Sequence, residues 1–338
     1  FMQLGKMILS KIHDEEYIIY SAKEDEDFFL YVKEEFPQLK LIMFFSDDEW
    51  RHNNYDRYLA LYSDYFTVAV KSNIEKYRRY GFCNVFYMRW GCNPHTFYPV
   101  PVNKKKYDVT FIGAAYGLRI EYVRFLISNN INVHLFGRGW EVYKDLSPNY
   151  GGCPSHGEMI DIIAQSKINL NFIWTSRNPE ETTIKGRTLE IAACNAFQLS
   201  NYTSEFENYG FSDGENISVF HDMDSLLEKV KYYLQHEEER NCIAQLSYKH
   251  VTELLTWNQQ FKELFSFTKT GASKSLQKFN VLVINRKKLL HKITADDSRL
   301  QIDFVDNEIS NYEKYDGVIN LNNNSTIDNN AIMMMVFG

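Results

Sequence analysis

Tyr107-Asp108-Val109-Thr110-Phe111-Ile112-Gly113 is an apolar run that closes on glycine, and residues 118–129 after it repeat their apolar positions with a helical period. Ile131-Asn132-Val133-His134-Leu135-Phe136-Gly137 then repeats the pattern of a short strand ended by glycine. Two strands joined by a helix of that length run parallel, because an antiparallel pair needs only a short turn. Downstream, the pattern predicts a helix near 158–166, a strand at Ile168-Asn169-Leu170-Asn171-Phe172, a helix near 186–194 and a strand at Phe197-Gln198-Leu199-Ser200. Leu226, Val230 and Tyr233/Leu234 mark an amphipathic helix over 222–235, with Asp222 as its N-cap, and the chain stays helical with breaks to about 268. Upstream, apolar runs at 17–20, 39–45, 66–70 and 85–88 read as strands, separated by helical patterns at 24–35, 53–63 and 72–80. The class is α/β, with parallel sheets covered on both faces.

A chain of 338 residues is about twice a common domain length, which favours two domains. Pro99-Val100-Pro101-Val102-Asn103-Lys104-Lys105-Lys106 breaks the alternation and reads as an extended linker. Residues 1–100 therefore form one expected domain and 105–268 a second. Three further strands near 280–284, 301–305 and 317–321 make 279–338 a short α/β appendage, the start of another domain or a piece packed on the first. The first strand follows an apparent helix at Leu4–His13 and residue 1 is not Met, so the sequence reads as beginning inside a longer protein.

Composition excludes several classes. With 37 Lys+Arg against 44 Asp+Glu the net charge is −7, the wrong sign for a nucleic-acid binder. Any anionic ligand must be held by a local cluster. Five cysteines without a CxxC pair fit neither a disulfide framework nor a zinc site, and a cytoplasmic setting is expected. No apolar run reaches the about 18 to 20 residues of a membrane span.

In a doubly wound sheet, ligands sit beyond the carboxyl ends of the strands. At the first such end, Gly113-Ala114-Ala115-Tyr116-Gly117-Leu118-Arg119 has small residues that let backbone N–H groups approach a phosphate and an arginine to add charge. It is equally a tight strand-to-helix turn. At the second, Gly137-Arg138-Gly139-Trp140 offers a flat slot for a base or sugar, or else a packed loop. His156, in Ser155-His156-Gly157-Glu158, is placed to meet a phosphate or a hydroxyl, or to serve structure. Lys185-Gly186-Arg187-Thr188-Leu189-Glu190 opens a helix with two cations suited to a diphosphate. Glu190, one turn in, can accept hydrogen bonds from a diol; the alternative is a plain Arg187/Glu190 pair at i, i+3. Asp47-Asp48-Glu49 ends a buried strand, where Asp47 or Asp48 can act as general base or merely cap a helix.

As an ordered set, these segments resemble group 1 glycosyltransferases of the spore-maturation CgeB-like kind. The set runs through the Tyr107–Gly113 strand with Arg119, Phe136-Gly137-Arg138-Gly139-Trp140, His156-Gly157-Glu158, Ser166-Lys167-Ile168-Asn169-Leu170-Asn171 and Gly186-Arg187-Thr188-Leu189-Glu190-Ile191-Ala192-Ala193-Cys194. It continues with Phe220-His221-Asp222, Tyr232-Tyr233-Leu234, Glu239-Arg240 and Thr256-Trp257. The resemblance covers roughly 105–268 and more weakly 39–98; 279–338 fall outside it.

The resemblance implies a GT-B architecture, two Rossmann-like domains facing a cleft. The second domain would bind a UDP-, GDP- or dTDP-linked sugar and the first an acceptor, with no metal or other cofactor. Gly113, Arg119, Gly137, Trp140, His156, Lys185, Arg187 and Glu190 would form the donor site. Arg119, Lys185 and Arg187 would hold the diphosphate, and Glu190 the ribose. Related retaining enzymes carry two glutamates with seven residues between them; counting back from Glu190 reaches Thr182, and Glu181 lies one position further, so the stereochemistry stays open. Asn195 stands where such families place Gly and still tolerates a left-handed backbone. The acceptor would be a glycan, a lipid-linked sugar or a protein, with room for peripheral membrane association and no role for nucleic acid. A nucleotide-sugar epimerase and a noncatalytic glycosyltransferase-like module are the rival readings.

Overall fold

The computed structural model describes residues 17–20, 26–46, 48–52, 56–175, 182–272, 279–284, 300–305 and 317–320. Contacts divide the chain into two units, Phe1–Tyr87 with Phe267–Gly338, and Met88–Ser266. The division falls earlier than the proline pair suggests. Cys92 N–H donates to the Leu255 carbonyl at 2.7 Å and Trp257 N–H to the Cys92 carbonyl at 3.0 Å, which ties 88–100 into the second unit.

In the first unit, strands β1 (Tyr17–Tyr20), β2 (Lys40–Phe44), β3 (Tyr65–Val68) and β4 (Val85–Tyr87) form one sheet in chain order, every neighbour parallel. Helices α1 (Glu26–Glu35), α2 (Asp48–Arg51) and α3 (Asn73–Arg79) lie between them in sequence. Leu41 and Met43 alternate into a core with Phe66, Tyr77 and Phe82, three rings that meet edge to face at 4.6–5.9 Å. The helix expected over 53–63 is reduced to Arg57–Leu59, and residues 53–55 lie outside the described ones. Strands Phe279–Ile284, Leu300–Val305 and Gly317–Asn320 occur where the sequence placed them and form a separate three-stranded parallel sheet.

His52, beyond α2, is buried against the Tyr77 ring at 4.6 Å, and its Nδ1 has no partner among the described residues. Burial, then the charges of Lys76 and Arg57, hold its pKa down from 6.5 to about 4. The unfolded chain takes up this proton below its ordinary value while the folded chain refuses it until about pH 4. Stability is therefore full above the ordinary value and falls as pH drops through that window. Urea midpoints recorded across it are expected to decline, and less so in His52→Phe.

The second unit carries β5 (Tyr107–Ile112), β6 (Val133–Phe136), β7 (Ser166–Asn171), β8 (Gln198–Asn201) and β9 (Ser218–Phe220), all parallel, in the spatial order β6-β5-β7-β8-β9. The helices are α4 (Leu118–Ser128), α5 (His156–Gln165), α6 (Gly186–Ala193), α7 (Glu205–Tyr209), α8 (Met223–Gln235), α9 (Glu237–Leu254) and α10 (Trp257–Thr268), whose last two residues are counted with the first unit. Phe111 packs with Val123 and Leu126 of α4 and Leu226 and Val230 of α8 in one core. Its neighbour Ile112 packs with Ile163 of α5 and Ile191 of α6 in another. Successive strand residues feeding two cores are the signature of a sheet buried on both faces. The chain leaves β5 toward β6 on one side and returns to β7 on the other, so the order reverses between β5 and β7. That switch point is where an open parallel sheet leaves a crevice beyond its carboxyl ends. Among the described helices, none is long and apolar enough to cross a membrane.

Candidate functional site

A hollow of about 150 Å³ opens at the switch point between β5 and β7. Gly113, Arg119, Lys185 and Arg187, four residues singled out from the sequence, line it together with Tyr116 and Asn171. Among the described residues, none that lines it is acidic.

The wall on the β5 side exists because two glycine turns touch. Gly137 has φ +115, and a Cβ there would sit 2.5 Å from the Gly113 carbonyl oxygen. Only glycine meets both demands. Gly113 N–H donates to the Phe136 carbonyl at 2.9 Å, extending the ladder past the end of β5. Trp140 offers no open slot: it is fully buried, edge-on to Phe111 at 5.8 Å, and its indole N–H donates to the Gly113 carbonyl at 2.8 Å. It braces the loop and presents no free ring face. Gly137 likewise shapes the wall and does not line the hollow.

Arg119 springs from the first turn of α4 and is 9% exposed. Its guanidinium donates to the carbonyls of Phe172 at 2.7 Å and Ala114 at 3.1 Å and lies 3.8 Å above the Tyr116 ring centre. Nε is buried without a partner among the described residues. Burial pulls its pKa from 12.5 down to about 10; Tyr116 opposes this, and the charge of Arg187 adds to it. Among the described residues no carboxylate answers this guanidinium, and a cation taken out of water in that way costs several kcal/mol, a cost that an anionic ligand offsets.

Across the hollow, Lys185 occupies the N-cap position of α6 and Arg187 its first turn. Their placement rests on a buried amide network. Asn171, last residue of β7, donates from Nδ2 to Thr188 Oγ1 at 2.9 Å and to Gln198 Oε1 at 3.1 Å, and Gln198 Nε2 donates to the Thr188 carbonyl at 2.9 Å. These bonds pin the first turn of α6 to β7 and β8. At its far end Asn195 takes φ +51, the left-handed conformation anticipated for it. Arg187 Nη1 lies 3.1 Å from Glu190 Oε2 and 2.8 Å from Met159 Sδ, so the i, i+3 pair is formed.

His156 is an exposed first residue of α5, whose Ser155/Glu158 capping box is complete. Its Nε2 lies 3.1 Å from the Thr96 carbonyl oxygen and its ring meets Phe97 edge-on at 4.9 Å; it does not line the hollow. In the other unit, Asp48 is fully buried. Its carboxylate accepts from the N–H of Ala69 at 2.9 Å and of Val70 at 3.4 Å and from Asn73 Nδ2 at 2.8 Å. That occupies it with holding the turn after β3, which disfavours work as a base. Asp48→Ala is expected to lower the unfolding free energy read from urea titration by about 1–3 kcal/mol while UDP affinity stays unchanged. Asp47 and Glu181 lie outside the described residues.

Tyr116 and Asn171, quoted within motifs but given no role there, line the hollow, and Met159, which no motif included, touches Arg187. Asn169 and Asn171 share one face of a buried strand, and such polar groups must find partners, which is the available signal.

The same fold recurs in solved glycosyltransferases. Sucrose-phosphate synthase from Thermosynechococcus elongatus superposes with a TM-score of 0.56 over 80% of this chain and 76% of its own, at 10% identity. Anabaena Alr3699/HepE, solved with UDP-glucose, gives 0.57 over 79% and 82%, also at 10% identity. A Staphylococcus aureus TarM mutant solved with UDP gives 0.57 over 79% and 58%, at 11% identity. Architecture and switch-point hollow thus define a GT-B glycosyltransferase fold. Residues 119–266 match the glycosyl transferase-like family model, and spore protein CgeB of Bacillus subtilis strain 168 is 23% identical over 54% of this chain. Over these residues the chain is similar to the CgeB-like group 1 glycosyltransferases. It spans 61% of the length of that relative.

Proposed function

We propose that this protein transfers a sugar from a nucleoside-diphosphate donor to a glycan, a lipid-linked sugar or a protein. The observation that carries the reading is the buried guanidinium of Arg119, without a carboxylate partner among the described residues, sharing one hollow with Lys185 and Arg187. Three cations around a hollow with no acidic lining residue among the described ones match a diphosphate. In this reading they also stabilise charge that builds on the leaving nucleotide as the glycosidic bond breaks, so the cations do the work otherwise given to a metal. Glu190 accepts from the ribose hydroxyls. The UDP-glucose complex of HepE and the UDP complex of the TarM mutant, which share the fold, support the donor class.

The test is a panel of UDP-, GDP- and dTDP-linked sugars, with binding followed by calorimetry and by melting temperature, and donor hydrolysis and transfer followed by nucleotide release. Binding with turnover of at least one donor is expected. Binding without turnover on any acceptor class would favour the noncatalytic module. Absence of binding by every nucleotide would sink the donor site.

A further inference from the structure

Tyr116 stands in the loop between β5 and α4, three residues before Arg119, and its half-buried ring forms part of the wall of the hollow. Gly117, next in the chain, takes φ +54 and ψ −141, a backbone that side chains rarely adopt, although a Cβ there would meet nothing within 4 Å. The turn, and not crowding, calls for glycine, and the turn brings the Tyr116 ring over the start of α4. The centre of that ring lies 3.8 Å from the guanidinium carbon of Arg119. The Tyr116 hydroxyl donates to the Trp174 carbonyl at 3.2 Å, while Arg119 Nη2 donates to the Phe172 carbonyl at 2.7 Å. Ring and guanidinium are thus moored side by side to carbonyls two residues apart on the chain that leaves β7. An anion is bound at the N–H edge of a guanidinium, in its plane, so a ring against the face fixes the plane and leaves the binding edge open.

We propose that Tyr116 is a positioning residue for sugar transfer: tethered to the chain beyond β7, its ring fixes the plane of the Arg119 guanidinium so that the N–H edge meets the diphosphate. The inference rests on the donor-site reading above and deepens it. The carbonyls of Phe172 and Ala114 settle where the two Nη atoms of Arg119 lie, but the guanidinium can still tilt about the line that joins them. A ring face 3.8 Å away removes that tilt, because cation and ring attract when stacked and the ring blocks one sense of rotation. Without the ring, the ligand itself has to order the side chain, and that ordering cost lowers affinity. Phenylalanine supplies the same face without the tether; leucine supplies neither.

The experiment is a double-mutant cycle. Kd for UDP, GDP and dTDP is measured by calorimetry in the wild type, Tyr116→Leu, Tyr116→Phe, Arg119→Met and the combined Tyr116→Leu/Arg119→Met, with melting temperatures to verify folding. Tyr116→Leu is expected to weaken the best-bound nucleotide about three- to tenfold, the scale of ordering one long side chain. Beside Arg119→Met the same change should cost less than about twofold, because no guanidinium is left to hold. Tyr116→Phe, which keeps the ring face, should stay within about twofold of the wild type. Equal losses in both backgrounds would overturn the proposal, since Tyr116 would then touch the ligand or merely shape the loop. No loss with Arg119 present would overturn it as well, and either result leaves the donor site standing. Where Arg119→Met binds too weakly for calorimetry, the NMR signal of the Arg119 Nε–H, assigned by its loss in that variant, decides in the free protein. The ring should displace that signal alike in the wild type and Tyr116→Phe, and Tyr116→Leu should move it; an unmoved signal would overturn the proposal. A wild type that binds none of the three nucleotides would remove the donor site itself, and this proposal with it.

Discussion

Replacing Arg119 by methionine is expected to cost about 1.5–3 kcal/mol of nucleoside-diphosphate affinity, roughly ten- to a hundredfold or more in Kd, and to suppress sugar transfer with it. The size follows from burial. An exposed cation interacts with phosphate through water and loses much of its energy to screening, whereas Arg119 is 9% exposed and fixed by two backbone carbonyls and a tyrosine ring. Its orientation is settled before the ligand arrives, so little is lost to ordering on binding. Arg124 supplies the control. It lies on the same helix but is solvent-exposed and grips Asp145 through Nε at 2.6 Å and Nη2 at 3.0 Å. Arg124→Met should leave the Kd unchanged. Equal losses in the two variants would mean that overall charge, and not the hollow, governs binding.

Trp140→Ala is expected to lower stability by about 3–5 kcal/mol, a large share of what holds a domain folded. The indole is fully buried beside Phe111, and its removal opens a void next to β5. It also orphans the Gly113 carbonyl, which then has no indole donor. Trp140→Phe keeps most of the buried area but not the N–H, and should cost about 1–3 kcal/mol. Both variants should lose nucleotide affinity, because Gly113 lines the hollow and its loop is held by that bond. Urea unfolding separates them by midpoint, and the ordering alanine, phenylalanine, wild type is the diagnostic. If both were stable and unable to bind nucleotide, Trp140 would be a ligand contact after all.

Elements with a long apolar repeat were legible from the chain alone. The strand Tyr107–Gly113 and the helix after it lie within a residue of their expected bounds, as do the Gly186 helix start and the Asp222 cap, which forms its bond to Ser225 N–H at 2.7 Å. Each is encoded by neighbours in sequence. The helix Glu205–Tyr209 and the edge strand Ser218–Phe220 went unnoticed because five and three residues carry too little periodicity. The edge strand exists through its pairing with β8, nineteen residues upstream by the register of Leu199 with Ser218.

The candidate site divides in the same way. That Arg119, Lys185 and Arg187 are cations placed after a strand end and at a helix start was readable, since each position is local in sequence. That Trp140 braces, that His156 reaches Thr96 and that Asp48 holds the turn after β3 was not, because a side chain's role depends on what packs against it. Sequence by itself determined the α/β class, the parallel strands and the cationic residues, all properties of short segments. Only tertiary structure decided which of those residues share a hollow, because strand order, and with it the switch point between β5 and β7, is set by contacts between residues far apart in the chain.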